Sequence, residues 1–176
     1  MKPHVLKNKY LHKRDLINKN IYKSIGHVPV FTKATLHFGC RDGDLKTVAK
    51  HLLALELMTG AKPKLSKSTK NNAVSKLKKG SLTGAYIVIK KGLMSKFLKR
   101  FVEEISPKLK QSSVNINSEL ANSFTLSVKK PELSAFEEVG FNKTIFSNLS
   151  TLTISISISK QVSPNDRRFL LSVVKS

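Results

Sequence analysis

The stretch from residue 62 to residue 91 has the most marked chemistry in this chain. It holds Lys62, Lys64, Lys67, Lys70, Lys76, Lys78, Lys79, Lys90 and Lys91, and no carboxylate. Ser66, Ser68, Thr69, Asn71, Asn72 and Ser75 lie between them. Lysine offers a compact positive charge to phosphate, and hydroxyl and amide groups add hydrogen bonds to phosphate or ribose. That mixture suits a nucleic-acid backbone, and it also suits a solvated loop in a basic protein. Lys33, Thr35, His37, Arg41 and Lys46 extend the same chemistry upstream.

Catalytic constellations are sparse. Cys40 is the sole cysteine, so there is no disulfide framework and no cysteine zinc site. His37 and His51 are candidate partners for a Cys40 nucleophile, but no orienting third group is evident. Asp42 and Asp44 form a carboxylate pair with no further metal ligands nearby, which reads as local charge balance. Gly39 and Gly43 match neither the P-loop nor the dinucleotide-binding pattern. No cofactor, no metal and no enzymatic activity are expected.

The charge balance points the same way. Against 11 acidic residues stand 32 basic ones, a net charge of +21. Such an excess repels itself in a compact chain, and a polyanion relieves that cost while releasing counterions. The excess is uneven. Residues 1–110 carry 25 basic and 6 acidic side chains, whereas residues 111–176 carry 7 and 5. One basic surface borne on a nearly neutral scaffold is the pattern expected. Apolar residues make up 40% of the chain, enough for a core.

No apolar run approaches the ~20 residues that span a bilayer, so no membrane insertion is expected. The lysine-rich residues 2–23 suit a membrane surface only thinly, because their apolar face is narrow. The N-terminus has neither a signal-peptide core nor a transit-peptide bias. Lysine outnumbers arginine 27 to 5, and asparagine, serine and isoleucine are plentiful, as an AT-rich genome would encode.

The elements that would position these residues follow from periodicity. Residues 5–25 read as one or two basic helices that end near Gly26 and Pro29. Ala34, Leu36 and Phe38 alternate with Lys33, Thr35 and His37, the mark of a half-buried strand. Leu45 to Leu57 has helical spacing and stops at Gly60. A short strand is expected over 64–68, a long basic loop over 69–84 and a strand over 85–91. Leu93 to Ile105 is an amphipathic helix closed by Pro107. Phe124, Leu126 and Val128 alternate with Thr125, Ser127 and Lys129. Leu152, Ile154, Ile156 and Ile158 alternate with Thr and Ser. Ser163 to Asp166 reads as a capping box before a last helix.

Together these give a single α+β domain over 1–176. It has one mostly antiparallel sheet of about five strands, with helices packed on one face. The other face would be polar, with Lys33, Thr35, His37, Lys129, Thr153, Ser155 and Ser157. Tyr86 and Phe38 are candidates for stacking on bases, although either also suits the core or rim of its strand.

The order of these elements resembles the large-subunit ribosomal protein L-five family. Val28-Pro29 through Phe38-Gly39 is similar to that family's Val-Pro…Lys-Ile-Thr-Leu-Asn-x-Gly strand. Leu57-Met58-Thr59-Gly60-Ala61-Lys62-Pro63 resembles its Ile-Thr-Gly-Gln-Lys-Pro junction, and Ser66-Lys67-Ser68-Thr69-Lys70 its Thr-Lys-Ala-Arg-Lys run. The spacing continues through Lys76-Leu77-Lys78-Lys79-Gly80 and Thr83 to Ile89. Met94, Phe97, Arg100 and Pro107 fall where the family helix has the same residue types. Thr153 to Ile156 and Arg168 to Leu171 are similar to its final strand and helix. Residues 108–149 depart. Ser118 to Phe124 stands where the family has a glycine-rich Phe-Asp-Gly-Arg-Gly-Asn-Tyr segment, and His37 stands at the family's asparagine.

The resemblance implies a structural role in the central protuberance of a large ribosomal subunit. It implies rRNA contact, with 5S rRNA where that is present and with large-subunit rRNA, through Lys33, Thr35, His37, Arg41, Lys46, Lys62, Lys64, Lys67, Ser68 and Lys90. The loop over about 70–82, with Lys70, Asn71, Asn72, Lys76, Lys78 and Lys79, would face the peptidyl-site tRNA. Neighbouring large-subunit proteins and a small-subunit bridge protein are the implied protein partners. The divergence and the composition point to a mitochondrial ribosome, with plastid or bacterial cytoplasm as the alternatives. A free-standing RNA-binding or RNA-chaperone module is the other functional reading.

Overall fold

A computed structural model describes residues 17–18, 28–40, 44–71, 78–109, 114–117 and 123–158. The expected N-terminal helices beyond Ile17 and Asn18, the last helix, and Arg41, Asn72 and Lys76 lie outside the described residues.

Strand β1 spans Phe31–Gly39, and helix α1 follows over Leu45–Thr59. Asp44 caps α1, its carboxylate accepting from the backbone N–H groups of Lys46 and Thr47 at 3.3 Å each. Those donors have no partner inside a first helical turn, so the cap stabilises the start of the helix. Asp44 therefore has a definite task beyond balancing charge. The helix ends on Gly60, whose φ of +67° is the left-handed conformation that glycine adopts at least cost.

Strands β2 (Lys64–Lys67) and β3 (Leu82–Lys90) flank the basic loop. The strand that sequence reading starts at Ala85 starts at Leu82, so the last three residues of the expected loop are strand. Gly84 disguises them. Its φ is +148°, and a Cβ there would lie 2.0 Å from the Phe38 carbonyl oxygen. The glycine thus lets two strands approach closely instead of marking a turn. Lys91, at φ +51°, then turns β3 directly into α2 (Lys91–Arg100). A π-helical turn over Phe101–Ile105 and a 3-10 turn over Ser106–Lys108 extend that helix to the expected stop near Pro107.

Strands β4 (Val114–Asn117) and β5 (Ser123–Val128) form a hairpin. A 3-10 segment over Lys130–Ala135, the short helix α3 (Glu137–Phe141) and β6 (Leu152–Ile158) complete the described fold.

The fold is α+β, with one open antiparallel sheet in the order β2-β3-β1-β6-β5-β4. Among the described residues the strand count is six, one more than expected, because β4 falls in the stretch where no pattern was evident. Ala34, Leu36, Phe38, Ile87, Ile89, Phe124, Leu126, Ile154 and Ile156 are buried on one face. Against them pack Leu55 and Met58 of α1, Met94, Phe97 and Leu98 of α2, and Phe136, Phe146 and Leu149 from the 130–150 stretch. Burial on only one face explains why the strands alternate instead of being apolar throughout.

Candidate nucleic-acid interface

The second sheet face carries no described helix, and antiparallel register builds it in rungs. On the first, Lys64 of β2 opposes Tyr86, which opposes His37, which opposes Thr153; Thr153 then opposes Ser127. The second runs Val88, Thr35, Ser155, Thr125. The third runs Lys90, Lys33, Ser157, Ser123. Asn115 and Asn117 of the edge strand β4 are in register with Ser127 and Thr125. Lys33, Lys64, Lys90 and Val88 are exposed, and Thr35, His37, Tyr86 and the hydroxyl residues are half-buried.

Two properties of this face bear on binding. Hydroxyls dominate its β5–β6 half, and one pair is already mutual, Thr125 Oγ1 lying 3.3 Å from Ser155 Oγ. No aspartate or glutamate occurs in any described strand. The described carboxylates instead lie beside or in the helical segments. There Glu104 and Glu138 hold Arg100, Glu103 pairs with Lys99, and Glu137 holds Lys108 at 3.0 Å. The four ion pairs described among these residues thus neutralise Lys99, Arg100 and Lys108 within the helical layer. Lys33, Lys64 and Lys90 take part in none of them.

The sequence-predicted residues divide by location. Lys33, Thr35, His37, Lys64 and Lys90 share the open face. Lys129 follows β5 as an exposed residue just past the strand end. Lys62 is exposed in the link from Gly60 to β2, and Lys67 is exposed at the far end of β2. Lys46 sits in the first turn of α1, within the helical layer, and is not gathered with the sheet lysines.

Ser68 and Asn71 have structural duties at the base of the basic loop. The Ser68 hydroxyl donates to the Lys70 carbonyl at 2.6 Å, and Asn71 Oδ1 accepts the Lys79 N–H at 2.7 Å. Backbone bonds from Ser68 N–H to Ser81 and from Gly80 N–H to Ser68 close the same neck. Lys70, Lys78 and Lys79 stand exposed around it.

The two aromatic candidates for stacking part company. Phe38 is fully buried and cannot stack on a ligand, whereas Tyr86 lies half-buried on the open face. His51 is fully buried under the sheet, its ring stacked on Phe38 with centroids 5.0 Å apart. Its Nε2 accepts the Ser150 backbone N–H at 3.2 Å and lies 3.3 Å from the Ser150 hydroxyl. An acceptor Nε2 places the proton on Nδ1, which finds no hydrogen-bond partner. Burial, and next the positive charge that His37 carries when protonated, hold the His51 pKa down to about 4. His51 therefore stays neutral at pH 7 as a packing residue and does not form an accessible base for Cys40. Its signal in the sequence is its place in the stripe Val48, His51, Leu55, Met58, which is the buried side of α1.

Burial also lowers the pKa of His37, so that imidazole is predominantly neutral at pH 7. Among the described residues, no group of His, Cys, Asp and Glu side chains is arranged to hold a metal ion. Nor is any described helix long and apolar enough to cross a membrane. In comparison with known proteins, no family model matches this chain, and no curated protein matches it either.

Proposed function

We propose that this protein is a non-catalytic, RNA-binding structural component of a large ribosomal subunit, a divergent member of the L-five family. The observation that carries this reading is the open sheet face, which is rich in hydroxyls, edged by Lys33, Lys64 and Lys90, and without a carboxylate in its described strands. An A-form RNA surface presents phosphates and 2′-hydroxyls, and those lysines and hydroxyls complement both. Every described carboxylate lies in or beside the helical segments and none in a strand, which leaves the lysines of the sheet face without an acidic partner in the strands.

In this reading Lys33, Lys62, Lys64, Lys67 and Lys90 neutralise rRNA phosphates in the central protuberance, 5S rRNA among them where the ribosome contains it. The loop braced by Ser68 and Asn71 presents Lys70, Lys78 and Lys79 toward peptidyl-site tRNA. Neighbouring large-subunit proteins and a small-subunit bridge protein complete the surroundings. The lysine-rich, arginine-poor composition and the divergence over 108–149 favour a mitochondrial ribosome.

Sedimentation of the tagged protein with crosslinking of its bound RNA tests the assignment. Co-migration with large subunits in moderate salt, with crosslinks to rRNA, is expected. RNA crosslinks on a protein that stays at the top of the gradient would instead identify a free-standing RNA-binding module.

A further inference from the structure

We propose that Tyr86 and His37 form a ring platform that receives an unpaired RNA base. This rests on the RNA-binding reading above and specifies the RNA that the open face selects. The two residues are direct register partners in the middle of the sheet, β3 against β1, and both are half-buried. Lys64 stands in register beyond Tyr86, and Thr153 beyond His37. Two ring-bearing residues in register thus lie between Lys64 on one side and Thr153 on the other. That is the arrangement a nucleotide needs, with its base on the rings, its phosphate at the lysine and its ribose or base edge at the hydroxyl.

The surroundings keep the rings accessible. The adjoining rung toward the strand end is Gly39 opposite Gly84, so no bulky side chain stands there. Gly84 admits no side chain, because a Cβ would strike the Phe38 carbonyl. His37 Cε1 lies 3.7 Å from the place a Gly39 Cβ would occupy, so the imidazole leans over the bare glycine. Being neutral at pH 7, that imidazole presents a ring and a hydrogen-bonding edge, and the positive charge comes from Lys64.

A duplex hides the faces of its bases in the stack and offers only phosphates, hydroxyls and groove edges. The lysines would hold duplex and single strand alike, whereas the rings add affinity only for an unpaired base. Loss of one stacked base corresponds to roughly a 5- to 150-fold loss of affinity.

The test uses the full chain and an RNA of about twelve nucleotides carrying one 2-aminopurine, either single-stranded or paired within a hairpin stem. Tyr86→Val and His37→Thr remove the rings while keeping strand-forming side chains, and Tyr86→Phe keeps the ring. Circular dichroism checks that each variant is folded. Expected are quenching of 2-aminopurine on binding, tighter binding of the single-stranded form, and loss of both in Tyr86→Val but not in Tyr86→Phe. Equal affinity for the two RNAs, unchanged by Tyr86→Val, would overturn the platform while leaving the RNA-binding reading intact. No binding of either RNA would overturn both.

Discussion

Acid should destabilise this protein through His51, and the size of the effect follows from its surroundings. Protonating Nε2 sets an N–H against the Ser150 N–H that it now accepts, inside a site with no exposure. The folded pKa is about 4, against an ordinary value of 6.5. The folded state therefore resists a proton that the unfolded chain takes up readily. This contribution to stability is fully present above pH 6.5 and is lost as pH falls from 6.5 towards 4. By linkage the loss is on the order of 2 kcal/mol at pH 5 and roughly 3 kcal/mol at pH 4. Urea titrations at pH 7.5, 6 and 5, run on the native chain and on His51→Gln, isolate the effect. Glutamine does not titrate, and its amide oxygen can still accept from Ser150. His37 contributes in the same direction in both proteins, so the difference between the two pH slopes belongs to His51. The reasoning fails if both proteins lose stability equally over this range, or if the His51 ring titrates near 6.5 by NMR.

Three further outcomes follow, two from the geometry and one from the proposed function. Gly84→Ala should split β3 from β1, because its Cβ would sit on the Phe38 carbonyl and its φ disfavours any side chain; a loss of about 3 kcal/mol or more in urea unfolding is expected. Asp44→Ala should lower the urea midpoint by uncapping α1, while Asp44→Asn, which keeps an acceptor oxygen, should lower it less. On the ribosomal reading proposed above, charge reversal at Lys76, Lys78 and Lys79 should impair translation more than subunit assembly, as read by polysome profiles and reporter synthesis; intact translation in that variant would reject the proposed tRNA-facing role of the loop.

The alternating strands were legible in the sequence because a sheet buried on one side sorts its residues with a period of two. Ala34, Leu36 and Phe38, and later Leu152 to Ile158, could hardly be read otherwise. That alternation also separated the polar residues Thr35, His37, Thr153 and Ser155 from the core before any fold was known. Which strands lie side by side was not legible. The placement of β6 between β1 and β5, which aligns their hydroxyls, depends on pairing between residues far apart in sequence. Strand β4 is not legible because two of its four residues are asparagine, a type depleted in strands, and what makes it a strand is its pairing with β5. Gly84 misled because a glycine in a strand interior looks like a turn until its neighbour is known. His51 drew attention as a reactive type, although the helical stripe it shares with Val48, Leu55 and Met58 already placed it in the core. Ser68 and Asn71 look like ligand-binding residues in a polar run, and their bonds across the neck of the loop appear only in three dimensions.

The most direct measurement is the salt dependence of RNA affinity in the native chain and in a Lys33→Gln, Lys64→Gln, Lys90→Gln triple variant. With three fewer phosphates neutralised, the plot of log affinity against log salt should flatten by about 2 to 3 units of slope, with the fold unchanged by circular dichroism. A variant whose slope and affinity match the native chain would mean that RNA does not meet this face of the sheet.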